Sequence, residues 1–280
     1  MSYEVIVGDC RTVLRNLPAE SVDCVFTSPP YFGLRDYESA DQIGHETSRD
    51  EYVRELVAVF REVFRVLKST GTCWINLGDS YNAAGRKGHG TRQGVKQGTL
   101  RASAEKKDWV RPSDPTAKPK ELLGIPWRVA LALSDDGWCL RQDIVWNKPN
   151  PMTESVKDRA TKAHEYLFML TKSERYYFNH EGFREPTADG TGLRNRRSVW
   201  TVPAQSFSGA HFATFPPNLV RPALLGGCPP GGVVLDPFGG SGTVAGVAES
   251  LGMDSIIIEL NPEFAALIPS RVEQITGGTK

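Results

Sequence analysis

Val22-Asp23-Cys24-Val25-Phe26-Thr27-Ser28-Pro29-Pro30-Tyr31 is the stretch from which the fold of this chain is read. The apolar run Val22 to Phe26 has the length and content of a short buried strand bounded by turn residues. A strand cannot continue through Pro29-Pro30, because proline has no N–H to donate and its φ is fixed. The residues before the prolines are pushed into extended geometry. Ser28, Pro29 and Tyr31 should therefore form a stiff tip at the carboxyl end of a strand. In open α/β sheets that edge is where ligands bind. The tip offers one hydroxyl, fixed carbonyl oxygens and one aromatic face. Such a set can accept hydrogen bonds from an amino group and stack on a flat heterocycle; it is equally the make-up of a Pro-rich turn anchored by Tyr31.

Working outward, Val5-Ile6-Val7 reads as a strand ended by Gly8-Asp9, and Arg11 to Leu17 as a short helix. Strand–helix–strand is the βαβ pattern of a parallel sheet. Residues 32–49 read as a polar loop that could close over the tip. From Asp50 to Lys68, Val53, Leu56, Val57, Phe60, Val63, Phe64 and Leu67 recur at helical spacing. Ser69-Thr70-Gly71 should end that helix, before a strand from Thr72 to Leu77. Pro126 to Leu133 is a helix opened by proline. Trp138 to Trp146 and Glu165 to Thr171 are strands joined by a polar link, which predicts antiparallel pairing, and Arg175 to Asn179 reads as the start of another. Pro217 to Leu225 is a helix, Val233 to Leu235 a strand, Thr243 to Leu251 a helix and Ser255 to Ile258 a strand. A terminal helix over Glu263 to Ile275 should kink at Pro269.

Two stretches stand apart. Residues 82–120 are rich in Gly and in Lys/Arg, including Arg86, Lys87, Arg92 and Lys96, with almost no apolar periodicity. They read as a basic insertion, either a solvated loop or an arm that contacts phosphates. Residues 181–210 read as irregular and combine Arg194, Arg196 and Arg197 with Phe183, Trp200 and Phe207, a mixture that suits a nucleic-acid surface.

The composition is that of a globular protein: 280 residues, 40% hydrophobic and 24% charged. With 33 Lys+Arg against 33 Asp+Glu the formal net charge is +0, so any polyanion must be met by local patches. The five cysteines are scattered and form no CxxC pair, which argues against a disulfide framework or a zinc site and for a reduced, cytoplasmic setting. No leader pattern and no apolar run long enough to span a membrane is expected.

A second site is legible near the carboxyl end. Asp236-Pro237-Phe238-Gly239-Gly240-Ser241-Gly242-Thr243 follows a strand and opens a helix, and the next strand ends at Glu259-Leu260-Asn261. Glycines let backbone approach a ligand, and a helix start offers free N–H groups. Glu259 comes 23 residues after Asp236, near the spacing at which an acid meets ribose hydroxyls. The layout suits a nucleotide-type cofactor or is an ordinary tight βα turn; the Gly-Lys-Ser/Thr of a phosphate loop is absent, and the absence of Gly-x-Gly-x-x-Gly argues against a dinucleotide.

Taken together, Thr27-Ser28-Pro29-Pro30-Tyr31 and Asp236 to Thr243 resemble the S-adenosylmethionine-dependent DNA amino-methyltransferases. The motif order, catalytic first and cofactor last, is similar to the circularly permuted β class. Gly8-Asp9, Asn76 to Tyr81, Trp146-Asn147-Lys148, His164-Glu165-Tyr166 and His211 to Pro216 are also similar to recurring segments of that family. The resemblance implies one catalytic domain of Rossmann-like fold: a mostly parallel, seven-stranded sheet with an antiparallel hairpin strand. It implies that Phe238, Gly239, Gly240, Ser241 and Gly242 shape the methionine end of the cofactor pocket, with Asp236 beside it. Glu259 would hold the ribose hydroxyls, Asp9 would face the adenine, and His211 to Pro216, with His211 and Phe215, would close the pocket near the methionine; Cys10, Thr27, Thr243 and Asn261 would also contact the cofactor. Ser28 and the Pro29 carbonyl would hold the target amine, with Pro30 stiffening the tip and Tyr31 stacking on the base. Lys148, with the basic residues of 82–120 and 181–210, would contact DNA. Duplex DNA is the implied substrate, with a cognate restriction endonuclease and a second copy of the chain as further partners.

The residues suit that chemistry. Hydrogen bonds from a base amine to Ser28 and Pro29 would favour a pyramidal nitrogen aimed at the sulfonium methyl, so positioning does most of the work. The base must leave the duplex to reach them. A cytosine-C5 mechanism would need a Pro-Cys nucleophile, which the chain lacks. Ser in place of Asp at the first motif position leans to N4 of cytosine over N6 of adenine. A methyltransferase of RNA or protein amides, and a non-enzymatic DNA-binding protein, are the competing classes. In every enzymatic case the 28–31 tip and the 238–242 loop must face one cleft.

Overall fold

A computed structural model describes residues 2–33, 42–82, 113–205 and 215–277. In chain order the elements are β1 (Tyr3–Val7), α1 (Cys10–Asn16), β2 (Val22–Thr27), α2 (Arg49–Val66), β3 (Leu67–Leu77), α3 (Ile125–Asp135), β4 (Cys139–Asn147) and β5 (His164–Thr171). They continue with α4 (His180–Phe183), β6 (Glu185–Pro186), β7 (Leu193–Arg194), β8 (Val199–Thr201), α5 (Pro217–Gly227), β9 (Val233–Asp236), α6 (Thr243–Ser250), β10 (Asp254–Glu259), α7 (Pro262–Ala265) and α8 (Ile268–Gly277).

The main sheet runs β1-β10-β9-β2-β3-β5-β4-β8, with β6 and β7 forming a small separate pair. β5 runs antiparallel to both neighbours, with Trp146 opposite Glu165 and Ile75 opposite Phe168, while the other pairings are parallel. The expected fold class and antiparallel strand are therefore present, but the sheet holds eight strands where seven were expected. The eighth, β8, comes from the stretch read as irregular. Its three residues are too short to show a period, and it is placed by Trp200, buried beside Phe183 at 5.9 Å.

Two cores flank the sheet. On one face α2 buries Tyr52, Leu56, Val59, Phe60, Val63 and Val66, with Leu14 of α1 and Val129 and Leu133 of α3. On the other, α5, α6 and α8 pack Leu219, Val220, Ala223, Val244, Val247 and Val272 against Phe26, Trp74 and Ile257. Ser48 caps α2, accepting from the Glu51 N–H, while the Glu51 carboxylate accepts from the Thr47 N–H at 3.1 Å, a reciprocal cap.

Three boundaries differ from expectation. The helix passes into β3 at Leu67, so Ser69-Thr70-Gly71 lie within the strand, at a register irregularity opposite Val22 and Cys24. Arg175 to Asn179 is not a strand, although Tyr177 and Asn179 donate to Thr70 and Gly226 at 2.8 Å each. The terminal helix is two helices, and Pro269 sits in the first turn of α8, where its missing N–H costs nothing.

Most of the basic insertion, with Arg86, Lys87, Arg92 and Lys96, lies outside the described residues, as does His211. Its two ends are pinned together. Asn82 donates to the carbonyls of Asp114 and Ala117 at 3.0 and 2.8 Å and accepts from the Asp114 N–H at 2.9 Å.

Packing against β3 leaves no room at the end of α5. A Cβ on Gly227 would lie 2.3 Å from Thr72 Oγ1 and 2.6 Å from Trp74 Nε1. Gly227→Ala is expected to destabilise the chain by about 1–3 kcal/mol through overpacking, readable by denaturant unfolding.

Candidate active site

The two strand tips meet. The Thr27 hydroxyl donates to Asp236 Oδ1 at 2.7 Å across 209 residues of sequence, and both side chains are fully buried. Beyond this bond the chains diverge and line one cavity of about 220 Å³. Ser28, Pro29, Pro30, Tyr31, Phe215, Phe238, Gly239, Gly240, Ser241, Thr243, Glu259 and Asn261 all face it, as do Asp9 and Cys10 from the start of α1. Thr27, Asp236 and Gly242 stand behind the wall; the Thr27 hydroxyl is spent on Asp236 Oδ1, which also accepts from the Phe238 N–H at 3.1 Å, while the buried Asp236 Oδ2 has no protein hydrogen-bond partner among the described residues.

The Gly-rich loop has the form a bound nucleoside needs. Gly240 and Gly242 adopt left-handed φ of 52° and 86°, and open space lies beside Gly240. The Gly240 N–H donates to Glu259 at 2.7 Å and the Asn261 N–H to its other oxygen at 2.8 Å, fixing that carboxylate at the end of β10. Burial raises the Glu259 carboxyl above its ordinary value, against those hydrogen bonds. Ser241 Oγ is buried, lines the cavity and has no protein partner. Open space at Gly240, an unpaired hydroxyl, a fixed acid and the rings of Phe215, Phe238 and Phe264 fit the methionine, ribose and base of the expected cofactor. At the start of α1, Asp9 caps the helix and lines the cavity. Burial would raise its carboxyl, but the hydrogen bonds and charge of Arg11, 2.6 Å away, hold it below the usual range. Burial pushes the Cys10 thiol up to about 12, so it walls the cavity as a neutral thiol.

The other half of the cavity joins Ser28, Tyr31 and Lys148 to two side chains the sequence left without a role, Asn76 and Glu165. Tyr31 donates to Glu165 Oε2 at 2.7 Å and lies 3.1 Å from Asn76 Oδ1. Ser28 Oγ is 3.4 Å from both Asn76 Oδ1 and the Tyr31 oxygen. Asn76 is oriented by donating to the Tyr166 carbonyl at 3.1 Å. Glu165 is ion-paired with Lys148, whose ammonium lies 4.1 Å from the centre of the Trp146 ring. Tyr52 donates to the Pro30 carbonyl at 2.7 Å and braces the tip from α2. Asn76, Glu165 and Lys148 each fall in a segment similar to the family, which was the available signal. No period marks Asn76, because β3 is buried on both faces.

The basic residues assigned to DNA separate. Lys148 is inside the cavity. Arg194 and Arg197 share Glu185 at 2.9 and 3.0 Å, and Arg196 donates to the Phe183 and Arg184 carbonyls while lying over the Phe183 and Trp200 rings. Arg196 is thus held by two backbone carbonyls and two aromatic rings of the β8 region.

With this geometry in view, comparison with known proteins identifies the family. A family model described as DNA methylase, of the N6/N4 type, matches residues 22–269. The chain belongs to this DNA methylase family. It is 54% identical to the Type II methyltransferase M.XycI of Xanthomonas campestris pv. cyanopsidis, over 95% of this chain and 86% of that one. It is 46% identical to M.SmaI of Serratia marcescens, over 97% and 91%. Among solved structures it resembles PvuII DNA methyltransferase, described as cytosine-N4-specific, with a TM-score of 0.70 at 21% identity, covering 99% of this chain and 91% of that one. It also resembles a candidate DNA modification methylase of Thermus thermophilus complexed with S-adenosylmethionine, with a TM-score of 0.68 at 26% identity, covering 99% and 95%. In this methylase, no described helix is long and apolar enough to cross a membrane.

Two tests follow from the site. Burial pushes the Asp236 carboxyl from 3.8 up to about 7, against its hydrogen bonds from Thr27 and Phe238. A carboxyl raised on folding adds stability that is complete below its unfolded value and is lost as pH rises through the folded one. Asp236→Asn keeps an acceptor for both donors and removes the titration. The stability of the variant relative to wild type should rise from about pH 4 to about pH 7 and then level; thermal melts read this, and a pH-independent difference would refute it. Separately, a Cβ on Gly78 would lie 2.5 Å from the Tyr31 ring. Gly78→Ala should displace Tyr31 and cut turnover by about 10²-fold while cofactor affinity holds, measured by single-turnover methylation and calorimetry.

Proposed function

We propose that this methylase moves a methyl group from S-adenosylmethionine to N4 of a cytosine flipped out of duplex DNA. The observation that carries this reading is Ser28. A neutral hydroxyl, in place of a carboxylate, stands at the tip of β2 in the same cavity as the Gly239–Ser241 loop and Glu259. When bound, the cofactor supplies an electrophilic methyl on a sulfonium; the chain supplies position. Ser28 Oγ and the Pro29 carbonyl accept from the amine and draw its lone pair out of conjugation with the ring. Pro30 is braced by Tyr52, so this pair of acceptors is stiff. Tyr31 presents its ring to the base. Asp9 and Asn261 hold the nucleoside end and Phe215 and Phe238 exclude water. A cytosine-N4-specific protein of the same fold supports the choice of base. The Type II names of the relatives support a partnership with a restriction endonuclease of matching specificity.

Arg86, Lys87, Arg92 and Lys96 serve the DNA backbone in this reading, as phosphate contacts that strengthen binding without reading sequence. Lys148 instead serves the base pocket.

The test is to methylate DNA with the purified protein, digest it to nucleosides and separate them by mass spectrometry. N4-methylcytidine is expected; N6-methyladenosine alone would overturn the choice of base. Ser28→Ala removes one of the two acceptors and should lower the methylation rate by about 10²-fold with cofactor binding retained.

A further inference from the structure

We propose that Glu165 is the terminal acceptor of the proton that the target amine must shed, reached through Tyr31. This rests on amine methylation as read above, though not on which base is methylated. Methyl transfer makes an N–C bond from the amine lone pair and breaks the C–S bond, whose electrons stay on sulfur as a thioether. The nitrogen is left cationic and has to lose one proton. Ser28 faces that nitrogen but is itself no base.

The polar groups around Ser28 have a direction. Glu165 is an acceptor, so the 2.7 Å contact fixes the Tyr31 proton toward Glu165 Oε2. The Tyr31 oxygen in turn can accept from Ser28, whose hydroxyl lies 3.4 Å away. Asn76 Oδ1, 3.4 Å from Ser28 and 3.1 Å from Tyr31, is an acceptor within reach of either hydroxyl, so Ser28 hands its proton to Tyr31 by turning away from Asn76. Asn76 cannot turn over, because its Nδ2 is committed to the Tyr166 carbonyl. The amine proton passes to Ser28 Oγ, the Ser28 proton to Tyr31, and the Tyr31 proton to Glu165, so the net change is one proton on Glu165. Hydrogen bonds in an unliganded site are commonly long and tighten with substrate, which suits the Ser28 link.

Charge supports the same reading. Glu165 and Lys148 are paired at side-chain exposures of 14% and 19%, inside the cavity. A shielded ion pair costs desolvation and is weak evidence of a purely stabilising role. Holding Tyr31 needs only a neutral acceptor, whereas taking a proton needs a carboxylate. A methylated base ammonium is so strong an acid that a carboxylate balanced by a lysine is basic enough.

The experiment compares wild type with Glu165→Gln, Tyr31→Phe, the double variant and Glu165→Asp, in the full chain on duplex DNA. Single-turnover rates are read beside equilibrium affinities for cofactor and DNA. Gln keeps an acceptor for Tyr31 and cannot take a proton at carboxylate strength. Glu165→Gln should lose at least about tenfold in the chemical step, with both affinities within about threefold. The double variant should lose no more than the worse single variant, and Glu165→Asp should retain more rate than Glu165→Gln. The proposal is overturned if Glu165→Gln turns over at the wild-type rate, if its loss lies in affinity, if the single losses multiply in the double variant, or if Asp rescues nothing. Should Glu165→Gln fail to fold, Tyr31→Phe and Glu165→Asp carry the comparison. A wild type that methylates only adenine defeats the choice of cytosine and leaves the relay standing; one that methylates no DNA amine defeats both.

Discussion

One buried hydrogen bond, from the Thr27 hydroxyl to Asp236, ties the active site together. β2 and β9 are neighbours in the sheet, paired through Cys24 with Val234 and Val25 with Leu235. The Thr27 bond lies just past that pairing, where both strands stop. Leaving either polar group unpaired in a dry interior would cost about 1–3 kcal/mol, so the two tips are held at one spacing. From that point one chain turns into the rigid Ser-Pro-Pro tip and the other into the Gly loop. A methyl donor and a methyl acceptor must meet within bonding reach, and this contact sets the distance between their supports.

The sheet divides the labour around that contact. On the parallel side β9, β10 and β1 end in Phe238 to Ser241, Glu259 and Asp9, which suit a nucleoside cofactor. On the other side β3, β5 and β4 bring Asn76, Glu165 and Lys148 to the cavity wall beside Ser28 and Tyr31. Reversal of β5 brings its first residues, not its last, to the cavity edge, and so places Glu165 beside Tyr31.

Much of this was legible in residue order. The helical spacing from Val53 to Leu67 marked α2, and the polar link between Trp146 and Glu165 marked an antiparallel pair. The prolines and glycines marked both tips, because their backbone constraints act locally. What was not legible depends on distant packing. β8 is three residues long and exists because Trp200 has a pocket. The Ser69–Gly71 turn is absent because β3 pairs with β2 on either side of it, Leu67 with Val22 and Thr72 with Cys24. The rings and backbone carbonyls that hold Arg196 belong to segments that composition alone does not bring together.

The sequence by itself determined the α/β class, the order of the two motifs and the residues of each strand tip, since proline, glycine and apolar period act on near neighbours. Only the tertiary structure decided that Thr27 and Asp236 meet, that Asn76 and Glu165 orient Tyr31, and that Lys148 points inward to a carboxylate. Those are contacts between strands far apart in the chain, and a hydrogen bond depends on where its two atoms stand, not on how many residues lie between them.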